Sequence, residues 1–192
     1  MLTPMDDTAS GKAETGAPGQ ARHDITRLTP TYDRAEDRLR VAIETKAGAV
    51  LVLWLTQRVS NQIVMALARW LEADVKQLAE GRNAAPLHGF EQSAAVAQHR
   101  AQTAVAAQKA RDCGLVHQVD MSRKGERYSL ALHTTAGDTA QLRSGAIEMR
   151  QLLDIFRRMY QAGEWSTAGW PRWAAQEPEV AAKTPEARKA LH

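Results

Sequence analysis

The chain has 192 residues, 44% of them hydrophobic, enough to bury a core of its own as one domain or two small ones. A net charge of +3 is mildly basic and falls short of the dense Lys/Arg clustering of a dedicated nucleic-acid-binding domain. The single cysteine, Cys113, rules out an intramolecular disulfide framework, the opening residues lack the regions of a signal peptide, and the longest apolar run, 49–55, is far short of the roughly 20 residues that cross a bilayer, so a cytoplasmic protein with no membrane partner is expected.

Residues 1–23 are rich in Ala, Gly, Thr, Asp and Pro without apolar periodicity, which predicts a disordered N-terminal tail. A first strand-hairpin-helix unit is expected over 24–80. Leu39, Val41, Ile43 and Thr45 alternate with Arg40, Ala42 and Glu44, the period of a strand with one wet face. Gly48 supplies the positive φ of a tight turn, and 49–55 returns as the better-covered strand. Thr56 is placed to cap a helix whose apolar face is Val59, Ile63, Leu67, Trp70, Leu71 and Val75, with Gly81 as its stop.

Residues 81–112 read as a loop containing Pro86 and Gly89, then an Ala-rich connector helix from 91. The order returns over 113–163. Residues 115–119 read as a strand, Tyr128, Leu130, Leu132 and Thr134 alternate, and Ala136-Gly137-Asp138 turns the chain. Leu142 lies in a shorter, more polar strand, and Leu152, Ile155, Phe156, Met159 and Tyr160 line a second amphipathic helix that stops near Gly163. Residues 164–192 hold three of the five tryptophans, Trp165, Trp170 and Trp173, expected to dock on the body as a strap, followed by a frayed end.

A shift of 89 positions carries Arg38 onto Arg127, Ala42 onto Ala131, Thr45 onto Thr134, Ala47 onto Ala136, Gly48 onto Gly137, Leu53 onto Leu142, Gln62 onto Gln151, Arg69 onto Arg158 and Ala73 onto Ala162, without a gap. Residue identities beyond the shared apolar outline favour a tandem duplication. The upstream extension sets Ile25 to Tyr32 over Gly114 to Met121, so each copy is expected to begin with a further strand. The predicted fold class is therefore α+β, a βββα-like unit used twice about a pseudo-two-fold axis and joined by the connector helix. A cleft between the repeats is the default site.

No Gly-x-Ser-x-Gly elbow, phosphate-cradling Gly-rich loop or His-Glu-x-x-His motif is present, so no catalytic or cofactor-binding residue is assigned. Cys113 and His117, with His88, His99 and His133 elsewhere, lack the closely spaced ligand pairs of a zinc site, and Cys113 reads as a small buried residue. The residues singled out for partner binding are Trp165, Trp170 and Trp173, the strand-start arginines Arg38 and Arg127, and the matching helix arginines Arg69 and Arg158. Arg38 and Arg127 follow Asp37 and Glu126, an acid-base pair that also suits a solvated strand end.

The expected function is a non-catalytic binding or adaptor module that recognises another macromolecule, a protein foremost, through its sheet face, its inter-repeat cleft or its Trp segment. A homodimer is also allowed. The second reading is a single-stranded nucleic-acid binder using Arg40, Arg123, Lys124 and Arg143, with Tyr32 and Tyr128 to stack bases. Repeated units of several strands plus a helix resemble, in element order, the whirly and PUR-alpha single-strand binders, and that outline implies nucleic-acid binding. An enzyme with its site at the repeat interface is the third reading.

Overall fold

The computed structural model describes residues 21–78, 85–99, 102–108 and 110–178. Their elements run β1 (Arg22–Asp33), β2 (Arg38–Thr45), β3 (Val50–Leu55), α1 (Gln57–Leu78), α2 (Ala85–Ala97), β4 (Arg111–Lys124), β5 (Arg127–Thr134), β6 (Thr139–Ser144), α3 (Ala146–Ala162) and α4 (Arg172–Ala175). Residues 1–20, the helix stop expected at Gly81 and the end beyond 178 lie outside the described residues. Arg22 and His23, read as tail from the sequence, instead open β1.

Both hairpins form where the turn glycines allow it. Gly48 has φ 80° and Gly137 φ 87°, a region that a side chain rarely enters. Each donates its N–H to the carbonyl of a preceding threonine, Thr45 at 2.8 Å and Thr134 at 3.0 Å. The β2–β3 register runs from Leu39↔Leu55 to Glu44↔Val50, and the β5–β6 register from Tyr128↔Ser144 to His133↔Thr139. Every pair of the first maps onto a pair of the second by the same shift of 89.

Upstream of the hairpins the gapless alignment needs correction. Tyr32 faces Leu39 while Arg123 faces Tyr128, so the equivalent of Tyr32 is Arg123 rather than Met121. The cause is turn length: Arg34 to Asp37 join β1 to β2, whereas Gly125 and Glu126 alone join β4 to β5. A bulge recurs in both strands at the positions this corrected shift equates, between Ile25 and Arg27 and between Val116 and Gln118.

The six strands close into a barrel. Two parallel seams join the three-stranded meanders, β3 to β4 from Leu51↔Arg111 to Trp54↔Leu115, and β1 to β6 from Arg22↔Thr139 to Asp24↔Gln141. Closure leaves neither β3 nor β6 at a sheet edge over its whole length, although β6 is the wetter of the two. Inward-facing Leu39, Val41, Ile43, Leu53, Leu130 and Leu132 fill the barrel together with Val59, Ile63 and Leu67 of α1 and Leu152, Leu153 and Phe156 of α3. Helix α1 packs on β4 and α3, and α3 packs on β1 and β5. Thr56 caps α1 by accepting from the Val59 N–H at 3.3 Å.

The connector differs from the expectation of a helix over 91–112. Helix α2 begins at Ala85, with Pro86 in its first turn, where a missing N–H costs nothing, and it ends at Ala97. The described residues that follow, 98–99, 102–108 and 110, are in no helix or strand before β4 opens at Arg111. This stretch must travel from the α2–α3 side to the start of β4. An extended chain covers more than twice the distance per residue of a helix, and the Ala- and Gln-rich sequence offers no apolar stripe to hold one. Val105 is buried and donates its N–H to Thr29 Oγ1 at 3.0 Å. Thr29 stands in register with Ala42, and Ala42 with Val52. Both are buried although they face outward, so the segment covers this row of the barrel wall.

Candidate functional site

The β1–β6 seam pairs over only three residues, ending at Asp24↔Gln141. Beyond it β1 continues to Asp33 against β2 alone, and β6 continues to Ser144 against β5 alone. The two strands part, α3 spans the gap, and a cleft of about 580 Å³ opens between them, within the usual range of ligand sites. Six consecutive β1 residues, Ile25 to Pro30, line it, as only a strand edge can do. Gln98, His99, Gln102, Thr103 and Ala104, after α2, form its outer rim together with Glu148, Gln151 and Arg158 of α3. Its floor of Ile25, Leu28, Leu142, Leu152 and Ile155 continues into a wholly apolar space of about 40 Å³ reaching Val41, Ile43 and Leu130 inside the barrel.

The base of the closed part of the seam is pinned by charge. Asp138 is buried and accepts two bonds from Arg111, at 2.7 and 3.0 Å, and one contact from His23 Nε2 at 2.9 Å. The Arg111 guanidinium first, then His23, holds the Asp138 carboxyl down at about 2 against the cost of burial. Arg111 begins β4 in the β3–β4 seam and His23 lies in the β1–β6 seam, so one carboxylate ties both seams. The first hairpin has Ala49 at this position. That difference between the two hairpins is the sequence signal for the pin.

The sequence-selected residues do not converge on one surface. Trp165 meets Tyr32 and Tyr160 edge-on, with centroids 5.6 and 5.2 Å away, and donates to Asp37 at 2.8 Å. Trp170 is buried against Tyr160 and donates to Asn61 at 2.8 Å. Trp173 stacks on His88, lies under the Arg150 guanidinium and donates to Glu72 at 3.1 Å. All three indoles are therefore engaged within the chain. Gly163 follows α3 where a Cβ would come 2.7 Å from the Tyr32 ring, so glycine is needed there for close approach and not as a positive-φ cap.

Among the arginines, Arg158 lines the cleft, half exposed and paired with Asp154 at 2.9 Å. Arg38 approaches Glu36 at 3.6 Å, and Arg69 and Arg127 are exposed elsewhere. Arg40 stands on the outer wall in register with Trp54, and Arg143 pairs with Asp24 at 3.0 Å. Lys124 is exposed opposite Arg127 at the β4–β5 turn. Arg123 and Tyr128 both bond the Asp74 carboxylate of α1. Tyr128 is buried beside Trp70, and Tyr32 bonds Asp37 and contacts Trp165, so neither ring face forms an open stacking platform. Of the partner-binding residues chosen from the sequence, only Arg158 lies in the cleft. Its apolar floor belongs to faces that read as ordinary core, and its polar rim residues follow no motif.

Among the described residues no group of His, Cys, Asp and Glu is arranged to hold a metal. Cys113 is fully buried, and desolvation pushes its thiol up to about 11. The native protein is expected to resist Ellman's reagent at pH 8 and to react with one equivalent per chain once unfolded; fast native reaction would mean that β4 opens there. No protein-family model, curated protein or solved structure matches the chain.

Proposed function

We propose that the chain is a non-catalytic binding or adaptor module that recognises a protein partner through the cleft between its two halves. The observation that carries this reading is the seam between β1 and β6, which stops after three pairs and opens into a roomy cleft with an apolar floor and a polar rim. The same reading takes the two βββα halves as a tandem duplication about a pseudo-two-fold axis. Identical hairpin registers and matching bulges support it, and the cleft is then inter-repeat, built from β1 of one half and α3 of the other. The other two surfaces considered from sequence are less open, because the outer row at Ala42 and Val52 is covered and the tryptophans are docked. Nucleic-acid binding through the strand arginines is disfavoured by the engagement of Tyr32 and Tyr128.

Thr26→Trp tests it, because Thr26 is exposed at the cleft mouth and an indole there fills the entrance without touching the core. The expected result is a partner that co-purifies stoichiometrically with the wild type and with Gln118→Ala on the outer wall, but binds Thr26→Trp at least tenfold more weakly. A correctly folded Thr26→Trp protein that keeps its partner would remove the cleft from recognition.

A further inference from the structure

We infer that the cleft receives an extended peptide which adds to the free edge of β1, places one aliphatic side chain between β1 and α3, and carries a carboxylate beside it. This rests on the cleft being the recognition site and names the chemistry of what enters it. Three independent features of the cleft support it.

The first feature is backbone. From Ile25 onward β1 has a strand partner only on its β2 side. Pro30 stands in register with Val41 but has no N–H, so it takes the ladder position that does not donate to β2. Alternation then turns the N–H and C=O of Leu28 away from β2 as well, together with the Pro30 carbonyl, toward the cleft that both residues line. A lipid tail or an aliphatic acid has no use for such a row, whereas an added strand bonds to it directly. Pro30 also limits the addition to a short one, since no donor is available at that position.

The second feature is the floor. Leu28, Leu142, Leu152 and Ile155 border both the cleft and the small apolar space beneath it, so the passage between them narrows to something that takes the end of one aliphatic side chain. The third feature is charge. Arg158 commits one nitrogen to Asp154 and is half exposed, and Arg27 commits Nη2 to Glu44 at 2.6 Å. The one carboxylate among the lining residues, Glu148, already accepts the Gly145 N–H at 3.1 Å. An acidic neighbour to the aliphatic anchor complements this rim, and a basic one meets cations.

Four fluorescent octapeptides in a Gly/Ser background test these features on the full-length protein. The first has a central leucine flanked by aspartates, the second flanks it with lysines, the third replaces the leucine by serine, and the fourth N-methylates the backbone on both sides of the leucine. The first peptide is expected to bind at least tenfold more tightly than each of the others by anisotropy. It should shift the NMR signals of Leu28 and Ile155 but not those of the outer wall at Ser129. Equal binding of the lysine peptide overturns the charge assignment, and equal binding of the N-methylated one overturns strand addition. Failure of all four overturns the inference even where Thr26→Trp still expels the native partner. Peptide binding at Leu28 alongside a partner that Thr26→Trp does not disturb upholds the peptide site and overturns only the broader proposal.

Discussion

A chain ended at Gly163 is expected to melt at least about 10 °C below the full-length protein, because the C-terminal segment is part of the core's covering. Trp170 is 7% exposed, sits 4.6 Å from the Tyr160 ring and bonds Asn61. Loss of a buried tryptophan of this kind costs about 3–5 kcal/mol, and each kcal/mol moves the melting point of a domain of this size by about 2–4 °C. Trp165 and Trp173 add partial burial against Tyr32 and His88. Tyr160, fully buried with its hydroxyl donating to the Gln57 carbonyl at 3.1 Å, would be uncovered by the truncation. Burial already raises its phenol well above the ordinary tyrosine range, and water reaching the ring would bring that down. Trp170→Ala alone should reproduce most of the loss by calorimetry, and Asn61→Ala a smaller part, about 1 kcal/mol. An unchanged melting temperature for the truncated chain would mean that the docked tryptophans contribute nothing to the fold.

The legible part of this architecture was local. Alternation at Leu39 to Thr45 and at Tyr128 to Thr134, turn glycines at 48 and 137, and apolar faces from Val59 and Leu152 specify two hairpins and two helices, because period and turn chemistry act over a few residues. Barrel closure was not legible. The pairings Leu51↔Arg111 and His23↔Ala140 join residues far apart in sequence, and a parallel edge leaves no residue signature of its own. A two-residue difference in turn length displaced the upstream alignment for the same reason: identity in the hairpins says nothing about the length of the preceding turn.

A cleft between the halves was expected, but its lining was not legible, because the opening is made by an absence of pairing. Leu28, Leu142 and Ile155 are apolar residues in apolar patterns, and only the early parting of β1 from β6 exposes them to a shared space. Asp138 escaped because its partners His23 and Arg111 lie in segments read as tail and connector. Both features lie where the two halves differ, Asp138 against Ala49 and a cleft on the β1 side.

Asp138→Asn is expected to remove a distinct acid-labile component of stability. The carboxyl is held at about 2, below its unfolded value near 3.8, so its contribution is fully present above the unfolded value and is lost as the pH falls through about 2. A shift of that size corresponds to about 2 kcal/mol for a buried group. At pH 7 the asparagine variant should therefore melt about 5 °C lower than the wild type, and the two melting curves should converge as the pH is lowered from about 4 toward 2. Arg111→Met should cost more at neutral pH, about 3–5 kcal/mol, because it strands a buried carboxylate with only His23 beside it, whereas Asp138→Asn leaves Arg111 half exposed and able to turn to water. The double variant should then be more stable than Arg111→Met alone. Melting temperatures for wild type and Asp138→Asn that fall in parallel from pH 7 to 2 would show that the pin between the two seams carries no pH-dependent stability. Because His23 belongs to the three pairs that close the β1–β6 seam, loosening the pin should also lengthen the opening beside the cleft. Faster amide exchange at His23 and Ala140 in Asp138→Asn, with Val41 and Leu53 unchanged, is the signature that separates a local release of the seam from a general loss of stability.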